Sequence, residues 1–184
     1  MANKIKYGLK NVHYAKLTEG EADTYAVPVA IPGAVNLSLS PVGDSTSFVA
    51  DDTEYYTAQG NNGYDGTLEM ADIPEAFRTG IMGEVEDAKK VLFEKSSANS
   101  APFALLFEFT GDAHQVKHVL YKCTATRANV EGAATVNKEI KTTTLNLQVR
   151  PNRGGYVKAN TKSDTDSATA AAWYTAVQTF DSEA

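Results

Sequence analysis

The sequence predicts a mainly β protein: an antiparallel β-sandwich or barrel with one short flanking α-helix, a long inter-strand hairpin loop and extended terminal arms. Two kinds of observation predict it. Several stretches alternate apolar and polar residues with a period of two, which places one face of a strand on a core. Helical spacing of apolar residues appears in one short stretch only, and a single helix among six or so strands belongs to a sandwich or barrel rather than to an α/β fold.

The elements follow in order. Residues 1–30 read as an N-terminal arm, and its opening, MANKIKYGLKNVHYAKL, contains lysines but no apolar run of signal-peptide length. The β-core spans residues 31–159. In AVNLSLS (34–40), Val35, Leu37 and Leu39 fall on one face and Asn36, Ser38 and Ser40 on the other. In YDGTLEM (64–70), Tyr64, Leu68 and Met70 oppose Asp65, Thr67 and Glu69. The segment 73–81, IPEAFRTGI, is the helix, with Asp72 as N-cap, Pro74 in the first turn and Phe77 and Ile81 on one side. VLFEK (91–95) is a short strand. PFALLFEFT (102–110) and HQVKHVLYKCTATR (114–127), joined through Gly111 and Asp112, make a β-hairpin. EIKTTTLNLQV (139–149) is a strand stopped by PNRGG, and GYVKA (155–159) follows. Residues 160–184 form a C-terminal arm: a polar tract, TKSDTDSATA, then AAWYTAVQTF, in which Trp173, Val177 and Phe180 are docking anchors. The whole chain, 1–184, is read as a single domain.

Between Ser40 and Tyr64 lie the 23 residues 41–63. Unstructured loops longer than about 12–15 residues are uncommon in compact domains. FVADDTEYYT is too rich in aromatic and β-branched residues for disorder, so an extended hairpin projecting from the body is expected here.

Composition narrows the function. The net charge is −6, which argues against a nucleic-acid-binding surface. The longest apolar patch, FALLFEF, is too short to cross a bilayer as a helix. Cys123 is the only cysteine, so neither an intrachain disulfide nor a thiolate metal cluster can form, and folding in a reducing cytoplasm is expected. The charges are sorted along the chain. Residues 1–16 carry four basic residues and no acid, residues 17–77 carry eleven acids and no Lys or Arg, and residues 78–162 carry thirteen basic residues against eight acids. Folding either interleaves these segments and cancels the field, or leaves an acidic and a basic face suited to head-to-tail contact between copies.

No chemistry-bearing motif emerges. Residues 51–54, D-D-T-E, lack the spaced oxygen ligands of a calcium loop, so no metal is expected. His114 and His118, four apart on a strand, are held about 13 Å from each other and cannot share an ion. They read as surface histidines near a hairpin turn, and His13 has no partner identifiable from sequence. G-x-S-x-G, S-x-x-K and the glycine-rich phosphate loops are absent, and Cys123 reads as a packed thiol. Asp164 and Asp166 form a D-x-D in the polar tract, where solvated acids are the ordinary reading. A metal-assisted hydrolase using Asp51, Asp52 and the histidines ranks last. The expectation is a non-enzyme with no cofactor. Tyr55, Tyr56 and Tyr64 with Asn61 and Asn62 suit sugar stacking, and a carbohydrate-binding β-sandwich module is the alternative function. Tyrosine on a protruding loop is also an ordinary protein-interface residue, and that reading is preferred.

The order and spacing of YDGTLEMADIPEAFRTGIMGE (64–84), FALLFEFTGDAHQVKHVLYKCTATRANVEG (103–132) and KTTTLNLQVRP (141–151) resembles the phi13-type major tail proteins. These are tail-tube subunits of long, non-contractile-tailed phages and prophages of Gram-positive bacteria. The resemblance covers most of the chain, including the tract with Trp173. It implies the phage tail-tube fold, in which subunits join edge to edge into a ring of six and rings stack into a tube that conducts DNA at ejection without binding it specifically. It implies a virion location after assembly in the host cytoplasm, no membrane, and partners that are further copies of the chain and the tail-tip, tape-measure and terminator proteins. In that architecture a long hairpin loop reaches toward a neighbouring ring. Asp51, Asp52, Glu54, Tyr55 and Tyr56 are the candidate inter-subunit residues. Alternatively, the acids face the lumen and act by repelling DNA.

Overall fold

The computed structural model describes residues 7–111, 114–130 and 141–181. In chain order the described elements are β1 (Leu9–Thr18), β2 (Thr24–Tyr25), β3 (Val29–Ala30), β4 (Ala34–Val42), β5 (Ser45–Ala50), β6 (Thr53–Gln59) and β7 (Gly63–Met70). They continue through α1 (Glu75–Gly80), β8 (Val85–Glu86), β9 (Leu92–Phe93), β10 (Phe103–Phe109), β11 (Lys117–Ala125), β12 (Thr143–Arg150), β13 (Lys158–Asn160) and α2 (Ser167–Ala172). The protein is mainly β and antiparallel. The main sheet runs β2-β1-β10-β11-β12-β7-β4, with β13 added to β11 and β3 to β1.

β10 explains why FALLFEF is continuously apolar. The strand is buried on both faces, as interior strands covered from two sides must be. Phe103, Leu105 and Phe107 point into the larger core with Tyr14, Leu68, Leu145, Leu147 and Val149. Ala104 and Leu106 point the other way, into a second core with Ala15, Val119, Tyr121 and Trp173. Since β7 and β12 deliver side chains to the same core as β10, the sheet curls back on itself around that core. Helix α1 adds Phe77, and its C-cap adds Ile81, both fully buried. The Phe77 ring meets Tyr14 and Phe103 edge-on at 5.0 and 5.3 Å. The second core lies outside the curl and is covered by the C-terminal segment: Trp173 packs there, Nε1 donating to the His118 carbonyl at 3.4 Å, and the Tyr121 hydroxyl donates to the Gln178 carbonyl at 2.9 Å.

The 102–127 hairpin forms as β10 and β11, with Phe107 opposite His118. Asp112 of its turn lies outside the described residues, as do Glu139 and Ile140 of the 139–149 strand, which runs from Thr143 to Arg150. The short strand expected at 91–95 is two residues long, Leu92–Phe93, and that at 155–159 moves on to Lys158–Asn160.

Several elements depart from expectation. Residues 9–18, placed in the N-terminal arm, are instead interior strand β1, paired with β10 and burying Val12, Tyr14, Ala15 and Leu17. Asn11 adopts a left-handed φ of 51°, and the register shifts between Lys10 and His13. That irregularity breaks the alternation by which a strand is recognised. A shift between Ala34 and Asn36 has a similar effect in β4: Val35, expected beside Leu37 and Leu39, is 52% exposed. Asp72 does not cap α1. Its carboxylate accepts the Ile73 N–H at 2.8 Å, and Pro74 is the N-cap, its carbonyl receiving Phe77 and Arg78. The polar tract at 161–170 is not all linker: α2 begins within it, and Asp166 is its N-cap, accepting the Thr169 N–H at 2.9 Å.

Candidate functional site

The hairpin expected between residues 41 and 63 is present as β5 and β6, a separate two-stranded sheet. Its root continues the β4–β7 ladder through two backbone hydrogen bonds of 2.8 Å, Asn62 N–H to the Val42 carbonyl and Gly60 N–H to the Asp44 carbonyl. The two limbs approach so closely that a Cβ on Gly43 would lie 1.9 Å from the Gly60 carbonyl oxygen. Asn61 closes the root, its side-chain oxygen accepting the Gly63 N–H at 3.2 Å.

At the tip, Asp51 and Asp52 have φ of 52° and 57°, the paired left-handed residues of a two-residue hairpin turn whose twist matches the strands. Aspartate tolerates that conformation better than most residues. Both acids are therefore turn-formers as well as charges. Glu54 accepts the Thr57 hydroxyl at 2.8 Å. Phe48 stands opposite Tyr56 and Val49 opposite Glu54, with Tyr55 the extra residue where the register shifts. Sequence reasoning selected the acids of the turn and the acid and tyrosines of β6 but not Phe48 and Val49, the apolar half on β5, although both lie in the same run.

All five candidate residues, Asp51, Asp52, Glu54, Tyr55 and Tyr56, thus share one hairpin. Tyr55 is 78% exposed, and Phe48, Val49 and Tyr56 are 60–63% exposed. No residue of 45–59 contributes to either core.

The charge segregation is partly cancelled by the fold. Glu19 pairs with Lys122, and Asp65 with Arg150 at 2.7 Å. Among the described residues, Asp51, Asp52 and Glu54 make no ion pair, so the projecting hairpin keeps its negative charge.

Beside the root lies a groove of about 360 Å³. Leu37 and Leu39 of β4, Tyr64 of β7, Phe107 and Phe109 of β10, and Lys158 of β13 form much of its lining. His118 belongs to this wall, its ring stacked on Phe107 at 5.1 Å, and so is not the surface residue the sequence suggested. The Lys158 ammonium lies over the Tyr64 ring, 4.9 Å from its centre. His13 sits against Tyr174 with ring centres 4.7 Å apart. Cys123 is fully buried in the larger core, and burial pushes its thiol well above the ordinary range. No three His, Cys, Asp or Glu gather as a metal site among the described residues, and no helix there is long and apolar enough to cross a membrane.

No family model matches the chain. No curated protein matches it either. Among solved structures, the chain is similar to one in the six-fold symmetrised baseplate of the anti-feeding prophage, with 7% identity and a TM-score of 0.48, over 89% of this chain and 99% of that one. A similarity of that degree is a likeness of chain trace and assigns no role.

Proposed function

We propose that this chain is a structural subunit of a phage-type virion, and more finely a tail-tube subunit whose copies join into rings and stacked rings that conduct DNA at ejection. The observation that carries the proposal is the β5–β6 hairpin. Isolated two-stranded hairpins are marginal in water, and contiguous exposed apolar residues on a soluble domain mark a surface that another protein covers. This hairpin exposes Phe48, Val49, Tyr55 and Tyr56 and has no support from its own core. β4 ends the main sheet with no ladder on its outer edge among the described residues, a second feature that a neighbouring chain would relieve. The resemblance of segments 64–84, 103–132 and 141–151 to the phi13-type major tail proteins supplies the class of assembly. In this reading the subunit catalyses nothing, works in the virion after assembly in the host cytoplasm, and meets tail-tip, tape-measure and terminator proteins at the ends of the tube. The net charge of −6 lets DNA pass without being held.

The test is charge reversal at the tip. The triple variant Asp51→Lys, Asp52→Lys, Glu54→Lys keeps the melting midpoint of the parent body, because these side chains touch no core. Asp51→Asn/Asp52→Asn, which also tolerates the left-handed turn, separates loss of charge from loss of the turn. By electron microscopy of concentrated protein, the triple variant loses the rings or tubes that the parent forms. Normal polymerisation by the triple variant sinks the contact role. If assembly is intact but ejection slows, the acids line the lumen instead. A glycan screen in which the parent binds and Tyr55→Ala/Tyr56→Ala does not would replace the proposal with the carbohydrate-binding module.

A further inference from the structure

The hairpin and the groove are complementary surfaces on one chain. The groove is walled by Leu37, Leu39, Phe107 and Phe109 and rimmed by Lys158, and its lining contains no carboxylate. The hairpin carries three carboxylates and no basic residue, beside four exposed apolar side chains. A groove of about 360 Å³ falls in the size range of sites that take up an apolar group, large enough for aromatic side chains to enter.

We propose that the groove is the receptor for the β5–β6 hairpin of a second copy of this chain, seating the Phe48/Tyr56 face on Leu37, Leu39, Phe107 and Phe109 with the acidic tip held near Lys158. This deepens the self-assembly reading and rests on it. The contact cannot form within one chain. The hairpin leaves the body at Gly43 and Gly60, next to Tyr64, which lines the groove, and from there its strands project about 20 Å. No residue of 45–59 lines the groove. A knob and a hole that never meet in the same molecule make a heterologous interface. Such an interface either closes into a ring or propagates. Burial of two aromatic residues supplies the attraction, and the Lys158 charge favours one end of the hairpin over the other.

The experiment uses two lesions. Phe48→Ala/Tyr56→Ala removes the knob and leaves the hole. Leu39→Arg blocks the hole and leaves the knob, and Lys158→Glu, at an exposed position, does so without burdening the core if Leu39→Arg fails to fold. Each folded variant alone lowers the assembled fraction at least tenfold at concentrations where the parent forms rings or tubes. An equimolar mixture of a knob variant and a hole variant gives a two-chain complex by light scattering on a sizing column, and nothing larger. If both folded hole variants assemble like the parent while the knob variant fails, the groove is not the receptor, and self-assembly through the hairpin stands. If the parent is monomeric at every concentration, the self-assembly reading and the groove assignment fall together.

Discussion

At the residue scale, Asp166 shows how one carboxylate decides whether a covering element forms. α2 is a run of Ser, Ala and Thr with no buried residue of its own, so it depends on its cap. The Asp166 carboxylate accepts both the N–H and the hydroxyl of Thr169, at 2.9 and 3.2 Å. The backbone hydrogen bond from Thr169 is the largest influence holding its pKa below the ordinary 3.8. A depressed acid stabilises the folded form above its unfolded pKa, and that contribution is lost as pH falls through the lower folded value. Trp173, the only tryptophan, follows α2 directly and is buried in the second core, so its fluorescence reports whether the C-terminal segment is docked. Asp166→Ala is expected to lower the midpoint of the Trp173 fluorescence transition at pH 7. Its midpoint converges with the parent's as pH drops below about 3.8 and Asp166 protonates. A gap that is unchanged in acid would show that the carboxylate's charge is not what holds the helix.

At the scale of elements, the hairpin is mechanically separate from the body. Its amides bond across β5 and β6 only, and both faces meet water, so local opening costs little. In the isolated subunit, hydrogen exchange over residues 45–59 is expected near the intrinsic rate, while β10 and β11 are protected to the level of global unfolding. In the assembled form protection of 45–59 rises by at least a hundredfold. Equal protection in both states would mean that the hairpin is not what assembly covers. Elements were legible in the sequence where the period of two survived intact, as in β7 and β12, whose inward residues Leu68, Met70, Leu145 and Leu147 are buried as their pattern demands. They were obscured where an irregularity reversed the pattern. Asn11 hid β1 inside a supposed arm, and the shift at Val35 turned one expected core residue outward. α2 was invisible because alanine and serine carry no apolar stripe, and the element docks through the tryptophan that follows it. The hairpin was legible from its length and composition alone. The groove was not, because its walls come from β4, β7, β10, β11 and β13, and no local pattern announces a meeting of five strands.

On the scale of the whole molecule, the fold pairs some of the sorted charges and leaves others. Glu19 and Asp65 are taken up by Lys122 and Arg150 and serve the fold. The hairpin acids remain as an acidic projection, and in the proposed self-assembly their attraction to Lys158 at the groove guides the incoming copy into place. Steering acts on the rate of association, whereas apolar seating governs how long the contact lasts. Raising sodium chloride from about 0.1 M to about 1 M shortens the screening length from about 10 Å to about 3 Å, which removes steering and leaves apolar burial in place. Assembly followed by light scattering should therefore start at least severalfold more slowly in the higher salt, while disassembly after dilution proceeds at nearly the same rate. Sodium sulfate separates the two contributions further, because an excluded salt strengthens burial while it screens charge. It should slow assembly in the same way and slow disassembly too. Faster disassembly in sodium chloride with no change in the association rate would mean that the carboxylates make short-range contacts holding the seated complex, and that the sorted charges do not guide the copies together.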